Sequence, residues 1–267
     1  MLSFSLIIYF VFGLIVGSFV NVVILRSGAR ALSGRSACMS CGVKIRWFDL
    51  IPVVSWLALR GRCRACGSRI SIQYPAVELL MGAAFALVGS APLAPLEKII
   101  GLLISAILLA IAVYDIRHTI IPNAWVWAFN FLALLSSLLT TNYLLLTILA
   151  GPAVALPLFA LWLVSKGKWM GLGDAKLALG IGWLLGPLAG IEALLLAFII
   201  GAIVSVFVLL PLPRIVRFFK KQGIAASGFT ASYTMKSEIP FGPFLIVACA
   251  LLWFSQMYGI LIPFLWQ

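Results

Sequence analysis

Apolar residues dominate this chain in long uninterrupted runs, and polar residues collect in the gaps between them. A membrane-spanning helix needs about 20 mostly apolar residues. A first run covers 4–25, a second about 75–91 and a third about 99–114. Residues 119–165 carry no charge, too long a stretch for one span, and Thr140-Thr141-Asn142 is the natural turn within it. Residues 177–213 contain Glu192 as their single charge. At about 1.5 Å per residue that stretch would reach about 55 Å, well beyond a hydrocarbon core about 30 Å thick. Gly186-Pro187 is therefore expected to break it in two. A last run spans about 239–263. The pattern predicts an all-α polytopic membrane protein of about eight transmembrane helices, with a polar loop between helices 1 and 2. That loop holds two amphipathic stretches, 49–59 with Trp56 and 70–74, which fit docking onto the membrane surface and ordinary core packing equally well.

Composition agrees with the pattern. Hydrophobic residues make up 64% of the 267, mean hydropathy is +1.18, and 10% of residues are charged, against about 25% in a soluble globular chain. Such a chain cannot cover its surface with polar groups, so the lipid bilayer is its first partner. No basic residue precedes the first run, and the first arginine is Arg26. The run reads as a retained signal-anchor rather than a cleavable signal peptide.

A net charge of +12 would suggest nucleic acid in a soluble protein, but its placement follows the spans. Nine basic residues lie in 26–69, Arg117 follows the third run, and Lys166, Lys168 and Lys176 follow the fifth. Arg214, Arg217, Lys220, Lys221 and Lys236 follow the seventh, and Lys98 alone falls on the other side. Basic loops stay cytoplasmic. The expected topology is multi-pass in the cytoplasmic membrane, with both termini outside and the first loop inside. The charge is thereby explained with no nucleic acid, and attraction to anionic headgroups follows from it.

Four of the five cysteines form two tight pairs in the first loop, Cys38-Met39-Ser40-Cys41 and Cys63-Arg64-Ala65-Cys66. Two thiolates three positions apart grip one metal from a tight turn, and a second such knuckle completes a tetrahedral site. Gly42 and Gly67 follow the pairs and supply the positive φ such turns require. On the reducing side of the membrane this reads as a closed, structural zinc site, with iron–sulfur or a redox pair as the alternatives. Cys249, in the middle of the last run, reads as a small buried hydrophobe.

Seven acids remain: Asp49, Glu78, Glu97, Asp115, Asp174, Glu192 and Glu238. A charge at the bilayer centre costs about 2.5–3.5 kcal/mol or more, so each acid near a span asks for a role. Asp115 closes the third run, and Asp174 stands where Gly171-Leu172-Gly173 enters the sixth. The topology puts both at cytoplasmic ends. Two carboxyl groups in one site suit peptide hydrolysis, since one takes a proton from water while the other polarises the carbonyl. Plainer readings stand beside this one: Asp174 as a helix cap, and Asp115 as a partner of Arg117, His118 or Lys176. Glu78, near the start of the second run, could serve a site facing the cytosol, and Glu192 reads as interfacial. Intramembrane carboxylates also suit a proton-coupled transporter, and the cysteine loop a membrane scaffold.

In order along the chain, several segments resemble bacterial type IV prepilin peptidases. They begin with Gly17-Ser18-Phe19-Val20-Asn21-Val22 and Arg26, the two cysteine pairs, and Asp49-Leu50-Ile51-Pro52 with Ser55-Trp56-Leu57. Ile70-Ser71 and Tyr74-Pro75 before Glu78 follow. Asp115-Ile116-Arg117 with Ile121-Pro122-Asn123 is similar to the family's first aspartate motif, and Gly171-Leu172-Gly173-Asp174 with Lys176 to its GxGD motif. Ile239-Pro240-Phe241-Gly242-Pro243-Phe244 resembles its last helix. The resemblance implies a GxGD aspartyl peptidase with Asp115 and Asp174 catalytic. It would remove basic leader peptides from prepilins and pseudopilins at the cytoplasmic face. Members with the cysteine loop commonly also methylate the new N-terminus with S-adenosylmethionine; a peptidase without that second activity is the alternative. No glycine fingerprint for the methyl donor is present, and Glu78 is the candidate contact. The expected division is an N-terminal region, 1–95, carrying the zinc loop and the methyltransferase function, and a membrane-embedded peptidase domain, 96–267.

Overall fold

The computed structural model describes residues 2–27, 34–140, 143–209 and 240–260. Among them the chain is all-α, with two isolated bridges in the cysteine loop and no strand. The helices are α1 (Leu2–Arg26), α2 (Val54–Ala58), α3 (Gln73–Ser90), α4 (Pro95–His118), α5 (Asn123–Thr140), α6 (Leu144–Ser165), α7 (Leu172–Leu185), α8 (Pro187–Val204) and α9 (Gly242–Met257). A 3-10 turn, Trp47–Leu50, precedes α2, and a π turn, Ser205–Leu209, extends α8. Apart from α2, the eight long helices fall on the eight expected apolar segments. Five of them (α1, α4, α5, α6 and α8) are long and apolar enough to cross a membrane. Residues 141–142, the basic positions from Arg214 to Lys236, Glu238, Ile239 and residues 261–263 lie outside the described residues.

Local chemistry explains the boundaries. Pro95 opens α4, and Glu97 reaches back to accept the Ala94 N–H, as a third-position carboxylate does in a capping box. Thr119, in the left-handed conformation, ends α4 directly after Arg117 and His118, two side chains suited to the negative end of a helix. Gly186, at φ +84°, both ends α7 and precedes Pro187 at the start of α8. The expected break is thus a glycine that leaves helical geometry and a proline pre-set to re-enter it. Pro152 and Pro157 sit inside α6, as neighbouring helices allow within a membrane.

In lipid the helices gain little by hiding apolar surface, so close approach through small residues holds them. Gly13 and Gly17 on α1 press directly on α3: a Cβ at Gly13 would lie 2.6 Å from the Met81 carbonyl, and one at Gly17 2.8 Å from the Glu78 Cα. On α7, a Cβ at Gly182 would lie 2.5 Å from the Ala150 carbonyl of α6. Two apolar cores result. One joins α1, α3 and α4 through Val20, Met81, Phe85 and Ala110. The other runs through α4–α9 around Ile104, Phe129, Leu177 and Leu245, and buries Cys249.

Candidate active site and metal centre

Three helix ends converge on the two aspartates. Asp115 occupies the last turn of α4, and Asp174 the first turn of α7, which Gly171 precedes. Both are buried, 4% and 9% exposed, and the Asp174 carboxyl lies within electrostatic reach of Asp115. The Asp174 carboxyl stands close to the Gly171 backbone at the positive end of α7, a place that the plainer reading as a helix cap also favours. The ion-pair reading of Asp115 fails among the described residues: Lys176 donates instead to Asn123 Oδ1 at 2.8 Å. His118 is exposed, hydrogen-bonded through Nδ1 to the Tyr114 carbonyl at 3.1 Å and tilted over the Tyr114 ring. Among the described residues the buried carboxyl pair has no neutralising cation, an arrangement that structural roles rarely tolerate.

The third end is the start of α9. The Gly242 N–H donates to Asp115, and a Cβ at this position would lie 2.5 Å from Asp115 Oδ2. Ile121, in the link between α4 and α5, is wedged between Gly173 and Gly242; Cβ atoms there would approach its side chain to 3.1 and 3.3 Å. Phe241 and Phe244, flanking Gly242, line an apolar cavity of about 240 Å³ with Phe198, Gly201, Ala202 and Ser205.

Residues 34–72 form a separate lobe around the cysteines. Each pair sits in the same hairpin knuckle. The Cys38 N–H donates to the Val43 carbonyl and the Gly42 N–H to Cys38; the Cys63 N–H donates to Ser68 and the Gly67 N–H to Cys63. Gly42 and Gly67 take φ of +72° and +69°, as the turn requires. All four sulfurs lie within 4.8 Å of one another, with Cys38 Sγ and Cys66 Sγ 3.9 Å apart. A metal bound by four thiolates at about 2.3 Å holds its sulfurs about 3.8 Å apart, so these residues fit a tetrahedral ion. Amides of Cys41 and Ser40 pull the Cys38 thiol down to about 6, toward the form that binds metal. Cys41, despite the Val43 amide, is pushed up to about 11 by the crowding sulfurs of Cys66 and Cys38, a repulsion that a cation relieves. Four cysteines are thus placed to hold a metal ion.

Comparison with known proteins follows this division. Residues 11–91 match the model for the bacterial peptidase A24 N-terminal domain, and residues 102–206 that for the type IV leader peptidase family. A Pseudomonas putida protein named prepilin leader peptidase/N-methyltransferase is 32% identical over 93% of this chain and 91% of its own length. The chain belongs to the type IV leader peptidase family. Relatives of the same name include one from Myxococcus xanthus, 34% identical over 77% of this chain and 63% of the relative. One from Bacillus subtilis is 29% identical over 94% of each. No solved structure matches.

Within this family member, the remaining motif residues serve mainly as ties. Asn21 Nδ2 donates to the Tyr74 carbonyl at 3.2 Å, pinning the start of α3 to α1. Glu78 is buried in the α1–α3 hairpin, where its Oε2 accepts the Val53 N–H at 2.7 Å and its carboxyl a bond from Ser18. Its partners belong to the lobe and to α1, not to the aspartate pair. Trp56, for which the sequence leaves docking and packing both open, turns into the lobe: its indole N–H donates to the Ile70 carbonyl at 3.3 Å and its ring covers Gly61. Gly242 and Ile121 were quoted as motif residues without a role. Their signal was position alone, a glycine and a branched apolar residue each beside a proline in an otherwise featureless apolar stretch.

Proposed function

We propose that this chain is a prepilin peptidase that cuts leader peptides from type IV prepilins or pseudopilins with Asp115 and Asp174. The observation that carries this reading is the burial of two carboxyl groups, from separate helix ends, with each other and without a basic partner among the described residues. In the proposed reaction one carboxylate takes a proton from water, which attacks the peptide carbonyl, while the other carboxyl donates a proton to the carbonyl oxygen. The Gly242 N–H holds Asp115 in position. Gly171, where a Cβ would meet Asp174 Oδ2 no closer than 3.5 Å, leaves room for an extended substrate beside Asp174, and the phenylalanine-lined cavity next to Gly242 suits an apolar segment of it. Positions near helix ends favour peptide chemistry over a proton relay, which needs carboxylates near the midplane.

The distribution of basic residues supports eight crossings, termini outside, and the lobe and aspartates on the cytoplasmic side of the bacterial inner membrane. Zinc would be held by Cys38, Cys41, Cys63 and Cys66 and would supply structural rigidity, since four thiolates close its coordination. The names of the relatives, and the resemblance, extend the proposal to methylation of the new N-terminus from S-adenosylmethionine. In this reading residues 1–95 serve the methylation and 96–267 the peptidase. Glu78, tied to Val53 and Ser18, then acts by docking the lobe rather than by touching the methyl donor.

Co-expression of a prepilin with the wild type, Asp115→Asn or Asp174→Asn tests the reading. Leader removal should require both aspartates, and intact cleavage by either variant refutes the dyad. The mass of the mature N-terminus reports methylation independently.

A further inference from the structure

The lobe carries an apolar face that none of the described residues covers. Trp47, Leu50, Ile51, Val54 and Leu57 are exposed, with Trp47 at 75%, Val54 at 60% and Leu57 at 62%. Trp47 and Leu50 stand one turn apart on the 3-10 turn, and Val54 and Leu57 one turn apart on α2. The opposite side is used internally. Phe48 lies under the guanidinium groups of Arg46 and Arg64, and Trp56 packs inward.

Depth decides what this face meets. Val53, beside Val54, is bonded through its N–H to the buried Glu78. Glu78 lies five residues into α3, about 7.5 Å along the helix axis. α3 is not among the five helices long and apolar enough to cross by themselves; taken as a crossing within the bundle, its 18 residues would span about 27 Å, about the thickness of a hydrocarbon core, with no length to spare outside it. Gly17 of α1 packs on the Glu78 Cα, nine residues before the first basic residue that follows, at position 26. The bond therefore draws the turn at Val53 below the polar ends of both helices. Val53 adopts φ +60° and ψ −51°, a costly conformation for a β-branched residue, and it is this conformation whose N–H meets Glu78. Residues 34–72 contain seven basic residues and one acid, Asp49, which is paired with Arg64.

The geometry points to the stripe from Trp47 to Leu57 as a membrane-surface anchor, seated in the acyl–headgroup boundary of anionic lipid. Tryptophan at the edge of an apolar face and cations around it match that boundary. The inference rests on the bilayer reading of the helices. The anchor fixes the lobe flat against the membrane, so the cysteine site cannot swing freely on the polar chain that links it to α1.

A photo-crosslinking amino acid placed singly at Val54, Leu57, Phe12 or Lys44 of the full chain tests this. The protein is reconstituted in phosphatidylcholine vesicles with or without phosphatidylglycerol, with a prepilin added in parallel. Phe12 is an exposed position on α1 and Lys44 an exposed polar position on the lobe. Lipid adducts at Val54 and Leu57 should match those at Phe12, exceed those at Lys44 several-fold and rise with phosphatidylglycerol. Adducts at Phe12 but not at Val54 and Leu57 overturn the anchor alone. Adducts to the prepilin in place of lipid overturn the assigned occupant, and loss at Phe12 as well overturns the bilayer reading beneath it.

Discussion

Between residues 34 and 72 a single residue, Gly61, is buried, whereas every helix from α3 to α9 contributes fully shielded apolar side chains to a core. The two regions reach order by different physics. The lobe has too few residues to bury a core, the situation in which small domains rely on metal or disulfide. The bundle has apolar surface everywhere and must select contacts by fit, which it does with glycines that let backbones touch. Their chemistry divides the same way. The lobe's thiols are accessible and gathered for a cation, while the bundle's carboxyls are buried and, among the described residues, gathered with none.

Removing the metal should separate the regions most sharply. Structural zinc contributes about 10–16 kcal/mol to the folding of small zinc domains, and the lobe has little else. Chelation, or Cys63→Ser, should therefore open residues 34–72 to trypsin while the bundle's helical signal persists. Joint unfolding would show that the two regions form one cooperative unit, transmitted through Glu78 and Val53. The opposite dissection is Asp115→Asn or Asp174→Asn. Loss of an acid–base group costs about 10²–10⁴-fold in rate, and cleavage should fall by that much while metal content and the lobe's resistance to trypsin stay unchanged. A variant that loses metal along with activity would break the division between structural and chemical sites.

What the sequence made legible follows from the same contrast. The helices announced themselves because lipid demands long apolar runs, and the break at Gly186-Pro187 because no single helix fits 37 residues. The knuckles were legible because the sequence spells out ligand spacing and a left-handed glycine. Asp115 and Asp174 were legible because acids are expensive near lipid. Contacts between distant segments were not. Gly242 reaches Asp115 from the far end of the chain, and nothing local marks it. The sequence leaves Trp56 open between surface and core, and the 3-10 turn at Trp47–Leu50 decides it by leaving Trp47 outside instead. The tie from Val53 to Glu78 was hidden because it depends on a backbone conformation that valine ordinarily avoids.

Glycine itself offers a finer cut between the regions. Gly182 is required for space, because a Cβ would meet the Ala150 carbonyl and lie 2.9 Å from the Gly151 Cα, both backbone atoms that cannot yield. Gly67 is required for its positive φ, and a Cβ there would meet nothing within 4 Å. Gly182→Asn and Gly182→Val should both destabilise the bundle, by about 1–3 kcal/mol from overpacking, in a thermal unfolding series. At Gly67, asparagine tolerates the left-handed region and valine does not. Gly67→Asn should thus retain more metal than Gly67→Val. Equal loss from both would mean that space, not backbone geometry, governs the knuckle.

The smallest expected effect concerns the one ion pair found among the described residues, Arg64 with Asp49 at 2.7 Å. Hydrogen bonding to Arg64 holds the Asp49 carboxyl below its ordinary value. A depressed carboxylate adds stability above its unfolded value, near 3.9, and loses it only as pH falls through the lower folded value. Arg64 is exposed, so the pair contributes little and salt screens it. The Asp49→Asn variant should therefore show a slight increase in tryptic cleavage of the metal-loaded lobe. That gap should hold constant from about pH 8 to about pH 5, above the carboxylate's range, and close with added salt. A gap that vanished by about pH 6, far above where a carboxylate held low by arginine would titrate, would mean that Arg64 does not hold Asp49, and that the lobe depends on its metal alone.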